Sequence, residues 1–204
     1  MGFISISLIP PIQEQIFLAG QSGTIQIPFG YRKIRFYMVG GGGSGGTPSS
    51  SYGGGGGGSG AVIGGIIPIV TGMVNIQYSV GGGGPAQPTG VGSPGSSTSL
   101  QINWNPNVCN VYGGACYIQL VAGGGQNGGS PSSSAPGSGG SGGTYSIYAN
   151  SFAQYYLTRV SFLNGLPGSA GSSSAGGSPG TLPTQAQQLL NGLFRNYNLM
   201  AYVL

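Results

Sequence analysis

The chain is a succession of short apolar runs, and four of them end in glycine at nearly equal distances. "IRFYMVGGGG", "IQYSVGGGG", "YIQLVAGGGQ" and "RVSFLNGLPG" place their first glycines at Gly40, Gly81, Gly123 and Gly165, intervals of 41, 42 and 42 residues. Within the runs apolar and polar positions partly alternate, which is the period of a strand with one buried face. Ile34, Phe36 and Met38 fall on one side of the first run and Arg35, Tyr37 and Val39 on the other. In the second, Val74, Ile76, Tyr78 and Val80 oppose Asn75, Gln77 and Ser79. Each run continues through a Gly/Ser/Pro tract into another strand-like segment: "AVIGGIIPI", "STSLQINW", "GTYSIYANSF" and, less clearly, "GTLPTQAQQLL". Propeller blades repeat at a similar period but carry four strands each, and a unit here offers two at most. The pattern predicts an all-β chain, an antiparallel β-sandwich built from strands around Arg35, Tyr78, Leu120 and Ser161.

Only the end reads as helical. In "PTQAQQLLNGLF" Pro183 precedes a capping Thr184, and Ala186, Leu189, Leu190 and Leu193 recur at helical spacing. One short C-terminal helix is expected there, before a last strand "NLMAYVL". The organisation is then an N-terminal strand or arm over 1–22 for subunit contact, a glycine-rich β domain over 23–182 with four layout repeats, and the helix and last strand over 183–204. The uncharged stretch Ala61–Val80 is long enough to cross a bilayer, but Pro68, Asn75, Gln77 and its many β-branched residues suit two short strands around "VTGM". No membrane span is expected. No basic segment precedes the first apolar run, and Ile6 stands where a myristoylation motif needs Ser or Thr.

Composition changes the picture in two ways. Of 204 residues 46 are Gly and 14 Pro, near the region where unpatterned Gly and Pro signal disorder, yet 38% are hydrophobic, too many for a chain that stays unfolded. Charge is almost absent. The one acid is Glu14, the cations are Arg32, Lys33, Arg35, Arg159 and Arg195, and nothing from Phe36 to Thr158 is charged. A nucleic-acid binder holds phosphates with a basic patch that five cations do not make, so the net charge of +4 is no sign of such a partner. Isolated soluble domains carry charge on about a quarter of their residues. Surfaces this neutral are expected to rest against copies of the chain and other structural proteins of an assembly.

The inventory for chemistry is nearly empty. Without His or Asp a serine has no imidazole base, and Glu14 alone makes no carboxylate pair, so no catalytic residues are expected. Two cysteines without His or Asp leave a zinc site incomplete, and hard cations lack carboxylates, so no metal and no cofactor are expected. "GGGGSGGT" is followed by no Lys, and the Gly-x-Gly-x-x-Gly matches by no acidic residue about 20 positions on, which removes the nucleotide cradle.

The order "GTIQIPFGYRKIRFYMVGGGGSGG", "GGGGGGSGAVIGGIIPI", "VNIQYSVGGGG", "GSSTSLQI" and "YIQLVAGGG" resembles the glycine-rich domain of bacteriophage tail and tail-fibre proteins and of large DNA virus structural proteins. The turn of that family is matched by Pro28, Phe29 and Gly30, and the resemblance covers roughly residues 23–145. It implies a place in a virion or an extracellular assembly. It also implies glycine tracts packed side by side as polyglycine II rods, with three residues per turn and hydrogen bonds between rods. Gly40, Gly55, Gly81, Gly82, Gly123 and Gly124 are then positions where a Cβ would intrude, and packed rods would satisfy backbone groups that a buried loop leaves unpaired. Ser/Pro breaks such as "TPSSSY" and "SPSSSAPGSGGSGG" depart from continuous tracts and suit exposed loops.

Three sets of side chains remain open. Cys109 and Cys116 flank an expected hairpin: a two-residue turn at Tyr112 and Gly113 puts them opposite each other, and one at Gly113 and Gly114 does not, so a disulfide or two half-buried thiols both fit. Tyr52, Tyr112, Tyr145 and Tyr148 border glycine-rich segments as interface anchors or as stacking surfaces for sugars. Arg32, Lys33 and Arg35 make a solvated strand edge or a docking patch. Two functions fit: a non-enzymatic structural protein that self-assembles, and a receptor-binding module at a fibre tip that recognises a host surface glycan or protein.

Overall fold

The computed structural model describes residues 2–9, 13–109, 116–149 and 154–194. Ten strands are formed there: β1 (Phe3–Ile9), β2 (Gln13–Leu18), β3 (Ser22–Gln26), β4 (Lys33–Val39), β5 (Val62–Pro68), β6 (Met73–Ser79), β7 (Thr98–Trp104), β8 (Tyr117–Ala122), β9 (Tyr145–Ala149) and β10 (Val160–Leu163). They make two antiparallel five-stranded sheets, ordered β10-β5-β4-β1-β2 and β3-β6-β7-β8-β9. The sandwich expected from the apolar runs is therefore present, with strands at all four expected places. The described residues also hold two helices, α1 (Pro106–Cys109) and α2 (Thr184–Leu193), and a 3-10 turn at Tyr155–Leu157.

Alternation decides what each face buries. Ile34, Phe36 and Met38 of β4, with Ile4, Ile6, Ile63 and Ile67 beside them, pack on Ile76, Leu100, Ile102, Trp104, Ile118 and Leu120 of the other sheet. The opposite face of β4 is buried too. Tyr37 and Val39, with Phe3 and Val62, lie under Ala186, Leu190 and Phe194 at α2. Gly64 lets the helix approach, since a Cβ there would stand 3.0 Å from the Tyr37 ring and 3.1 Å from Leu189. The outer face of the second sheet is polar without charge: the Asn103 side-chain amide donates to Asn75 and the Gln101 amide to Asn103, both at 2.7 Å.

Glycine tracts leave the sheets at one end. β4 leads to β5, β6 to β7, β8 to β9 and β10 to α2 through four hairpins of extended rods: rods 1 and 2 (40–48, 53–61), 3 and 4 (81–85, 90–97), 5 and 6 (123–131, 137–144), and 7 and 8 (164–172, 175–182). Their hydrogen bonds recur at every third residue. Gly40, Gly43 and Gly46 donate to the carbonyls of Ala61, Gly58 and Gly55, each at 2.9 Å; Gly55, Gly58 and Ala61 donate to Gly129, Gln126 and Gly123 at 2.8–2.9 Å. A threefold helix without internal hydrogen bonds turns its donors outward in this period, and the rod glycines keep negative φ except Gly90, where the turn enters rod 4. The 42-residue repeat of the sequence is thus strand, outgoing rod, turn, returning rod, strand. The packing requires glycine where rods meet: a Cβ at Gly124 would run into the Gly95 carbonyl, and one at Gly40 into that of Gly123.

Several expectations need correction. Gly82 is no steric position, because a Cβ there meets nothing within 4 Å. In the N-terminal segment, expected as a strand or arm, β1 lies between β4 and β2, with Phe3, Ile4, Ser5 and Ile6 buried. A register shift between Met73 and Asn75 turns Met73, instead of Val74, into the core, a bulge that apolar alternation does not reveal. β7 and β8 do form a hairpin, but Asn103 pairs with Tyr117 and α1 follows β7, so Cys109 belongs to a helix and not to a strand facing Cys116. The tight turns expected at Tyr112, Gly113 and Gly114, and the last strand, fall outside the described residues. The stretch Ala61–Val80 is β5, a turn with Gly72 at φ +91°, and β6, which crosses from one sheet to the other.

Candidate functional site

The molecule has two chemically different ends. At the far end of the rods the chain reverses at three turns of like sequence, Ser49–Tyr52, Ser132–Ala135 and Ser172–Ala175. In each, the first serine does the same work. The backbone N–H of Tyr52 donates to Ser49 Oγ (3.1 Å), that of Ala135 to Ser132 Oγ (3.1 Å) and that of Ala175 to Ser172 Oγ (2.9 Å). A serine hydroxyl that accepts from the residues after it closes a turn without needing glycine. Ser50, Ser51, Ser133, Ser134, Ser173 and Ser174 are left exposed at the tip. The fourth turn, between rods 3 and 4, differs: Gly90 takes φ +86°, the Gln87 amide donates to Ser93 Oγ (2.7 Å), and Val91 is exposed.

The sandwich end away from the rods collects charge and aromatic surface. Arg32 and Lys33 are exposed at the start of β4, Arg159 at the start of β10, and Lys33, Arg159 and Tyr155 line one small cleft of about 150 Å³. Phe29, in the turn that holds Gly30 at φ +96°, is fully exposed, and Tyr155 is 78% exposed. Arg35 stands apart: it is half-buried, with its guanidinium 5.8 Å from the Phe194 ring centroid and Nε unpartnered. The trio of cations is thus split between a solvated edge and the cover of α2.

The tyrosines do not converge. Tyr52 is half-buried at a rod tip, Tyr145 and Tyr148 lie on β9, and Tyr112 is outside the described residues. β9 is the terminal strand of its sheet, and Tyr145, Ile147 and Tyr148 are exposed along it, with the Tyr145 ring 5.1 Å from that of Phe162. Cys116 is disulfide-bonded, and the chain's other cysteine is Cys109. Tyr37, which the sequence places only as a strand residue, is buried with its hydroxyl donating to the Ala186 carbonyl (3.2 Å), and burial pushes its phenol pKa far up. No helix of the described residues is long and apolar enough to cross a membrane.

A family model described as a glycine-rich domain matches residues 18–193. The chain belongs to this family. The match takes in β3 to β10, all eight rods and α2, and leaves out β1 and all but the last residue of β2, so the glycine-rich domain includes most of the sandwich as well as the tracts that give it its name. No curated protein matches the chain.

Proposed function

We propose that this glycine-rich domain is a non-enzymatic structural subunit of a virion or a comparable extracellular assembly, associating with copies of itself and with other structural proteins through uncharged surfaces. The observation that carries this is β9. Edge strands normally carry Lys, Pro or a bulge against unwanted pairing. β9 reads Tyr-Ser-Ile-Tyr-Ala, with no charge and no Pro, and four of its five residues are exposed. The resemblance to tail and tail-fibre domains and the disulfide at Cys116, a bond that lasts in oxidising surroundings, support the extracellular setting. Sedimentation of the whole chain across concentration tests the proposal. Assembly that Ile147→Lys abolishes, with the circular dichroism spectrum unchanged, is expected; a monomer at every concentration overturns it.

A second function has its own support. The four turns gather at one exposed end of a rigid rod bundle, as loops for recognising a host surface glycan or protein would. Replacement of the tip serines and Tyr52 that removes attachment to host cells, while leaving assembly intact, would favour this recognition role.

A further inference from the structure

Rod 2 is ringed by neighbours on five sides. It donates to rod 5 from Gly55, Gly58 and Ala61 and to rod 7 from Gly53, Gly56 and Ser59; it accepts from rod 1, from rod 6 through Gly53, Gly56 and Ser59, and from rod 8 through Gly54 and Gly57. In a threefold rod the donor directions lie about 120° apart. Two of them are filled by rods 5 and 7. The third, at Gly54, Gly57 and Gly60, faces the gap between rods 1 and 8, and none of these three amides donates to any described residue. Rod 1 shows the complementary gap. Its carbonyls at Gly41 and Ser44 accept from rod 5 and that at Gly42 from rod 3, while those at Gly40, Gly43 and Gly46 accept no hydrogen bond among the described residues. Along Gly57 and Gly60 of rod 2 and Gly40 and Gly43 of rod 1 the gap is an open cleft of about 840 Å³, bordered by Gly42 and Leu182 and closed at its sheet end by Phe3 and α2.

We infer that this cleft is a binding groove for a ninth rod, a glycine-rich extended segment supplied by another chain. Three amides and three carbonyls at three-residue intervals, over about 19 Å of rod, are the hydrogen-bond complement of one more rod and of nothing with another period. The groove itself requires glycine, because a Cβ at Gly54, Gly57 or Gly60 would run into the carbonyl of Gly46, Gly43 or Gly40 and part rods 1 and 2. Buried backbone donors are seldom left unpaired, and Gly54, Gly57 and Gly60 are all buried. No guest is left within this chain: its long glycine tracts are all in rods 1–8, and segments 10–12, 110–115, 150–153 and 195–204 hold no such tract. The mode is the polyglycine counterpart of adding a strand to a sheet edge.

Amide hydrogen exchange of the whole chain, read by NMR with and without a twelve-residue (Gly-Gly-Ser)4 peptide, tests this. In the free chain Gly54, Gly57 and Gly60 should exchange faster than Gly55, Gly56 and Gly58. Saturating peptide should slow those three by about tenfold or more, and a twelve-residue peptide of N-methylglycine, which lacks donors, should not. Gly42→Leu, at a position where a Cβ makes only an ordinary 3.5 Å contact with the Gly58 carbonyl, should keep the fold and block the effect. Equal protection of all six amides in the free chain, no response to the peptide, or the same response in Gly42→Leu overturns the inference. Protection that appears with protein concentration alone also overturns it, in favour of a second copy as the occupant.

Discussion

The Cα of Gly55 lies against the carbonyl oxygen of Ser138, with no room for a side chain between them. The two residues belong to rods 2 and 6, and the same closeness recurs at Gly53, Gly56, Gly58 and Gly124, so much of the bundle is held by backbone contacts that a Cβ at these positions would spread. Gly55→Val and Gly124→Val should each cost about 3 kcal/mol or more, because backbone on both sides resists the shift. Gly82→Val, facing open space, and Ser133→Val, exposed at a turn, should stay within about 0.5 kcal/mol of the parent. Thermal denaturation of the four variants checks this, and equal losses at Gly55 and Gly82 would show that the rods are not packed.

Burial of Tyr37 makes the fold sensitive to alkali. Its phenol is held neutral by desolvation beneath α2, so its folded pKa lies above the unfolded value of about 10. The neutral form therefore contributes stability that is complete below about pH 10 and is lost as pH rises through the folded value. The loss should approach 1.4 kcal/mol per pH unit in that window. Denaturant titrations of the parent and of Tyr37→Phe between pH 8 and pH 12 should diverge above about pH 10, with the Phe variant the flatter. Parallel curves would place the alkaline sensitivity elsewhere.

How much of this was legible in the sequence follows from what each contact is made of. The strands could be read because Phe36, Ile76 and Leu120 are apolar at alternate positions, and the period could be read because each strand ends in glycine. Which rods adjoin could not be read, since the pairing of Gly43 with Gly58, or of Gly140 with Gly56, is made by main-chain atoms that every residue owns. The same limit explains Gly82, which looks like Gly81 in the sequence but faces open space. Local departures were hidden for another reason: the bulge at Val74 and helix α1, which ends at Cys109, depend on how the sheets turn, not on the residues alone. Of the exposed aromatics at the base, Phe29 falls in the turn marked by Pro28 and Gly30, whereas Tyr155 carries no sequence signal that separates it from core residues.

The serine turns give a local prediction. Ser132→Ala and Ser172→Ala remove the acceptor for Ala135 and Ala175 N–H, at a cost of about 1 kcal/mol each. The adjacent Ser133→Ala and Ser173→Ala, whose side chains close no turn, should cost nothing measurable. Exchange at the Ala135 and Ala175 amides should quicken in the first pair only. A change in the second pair would mean that the middle serines also hold the turn.

The last prediction follows from the 123 uncharged residues between Phe36 and Thr158. At 1 M salt the Debye length falls to about 3 Å and exposed charges cease to interact, but hydrogen bonds between rods and apolar contacts at an edge such as β9 are untouched. Glu14 is the one acidic side chain, so mild acid also has little to titrate. An assembly of this chain should therefore keep its size in high salt and down to about pH 4, the carboxylate range. Guanidinium, which solvates both peptide groups and apolar surface, should take it apart. Light scattering across the three conditions decides the matter. Subunits released by salt alone would show that Arg32, Lys33 and Arg159 at the base, rather than the neutral surfaces, hold the particles together.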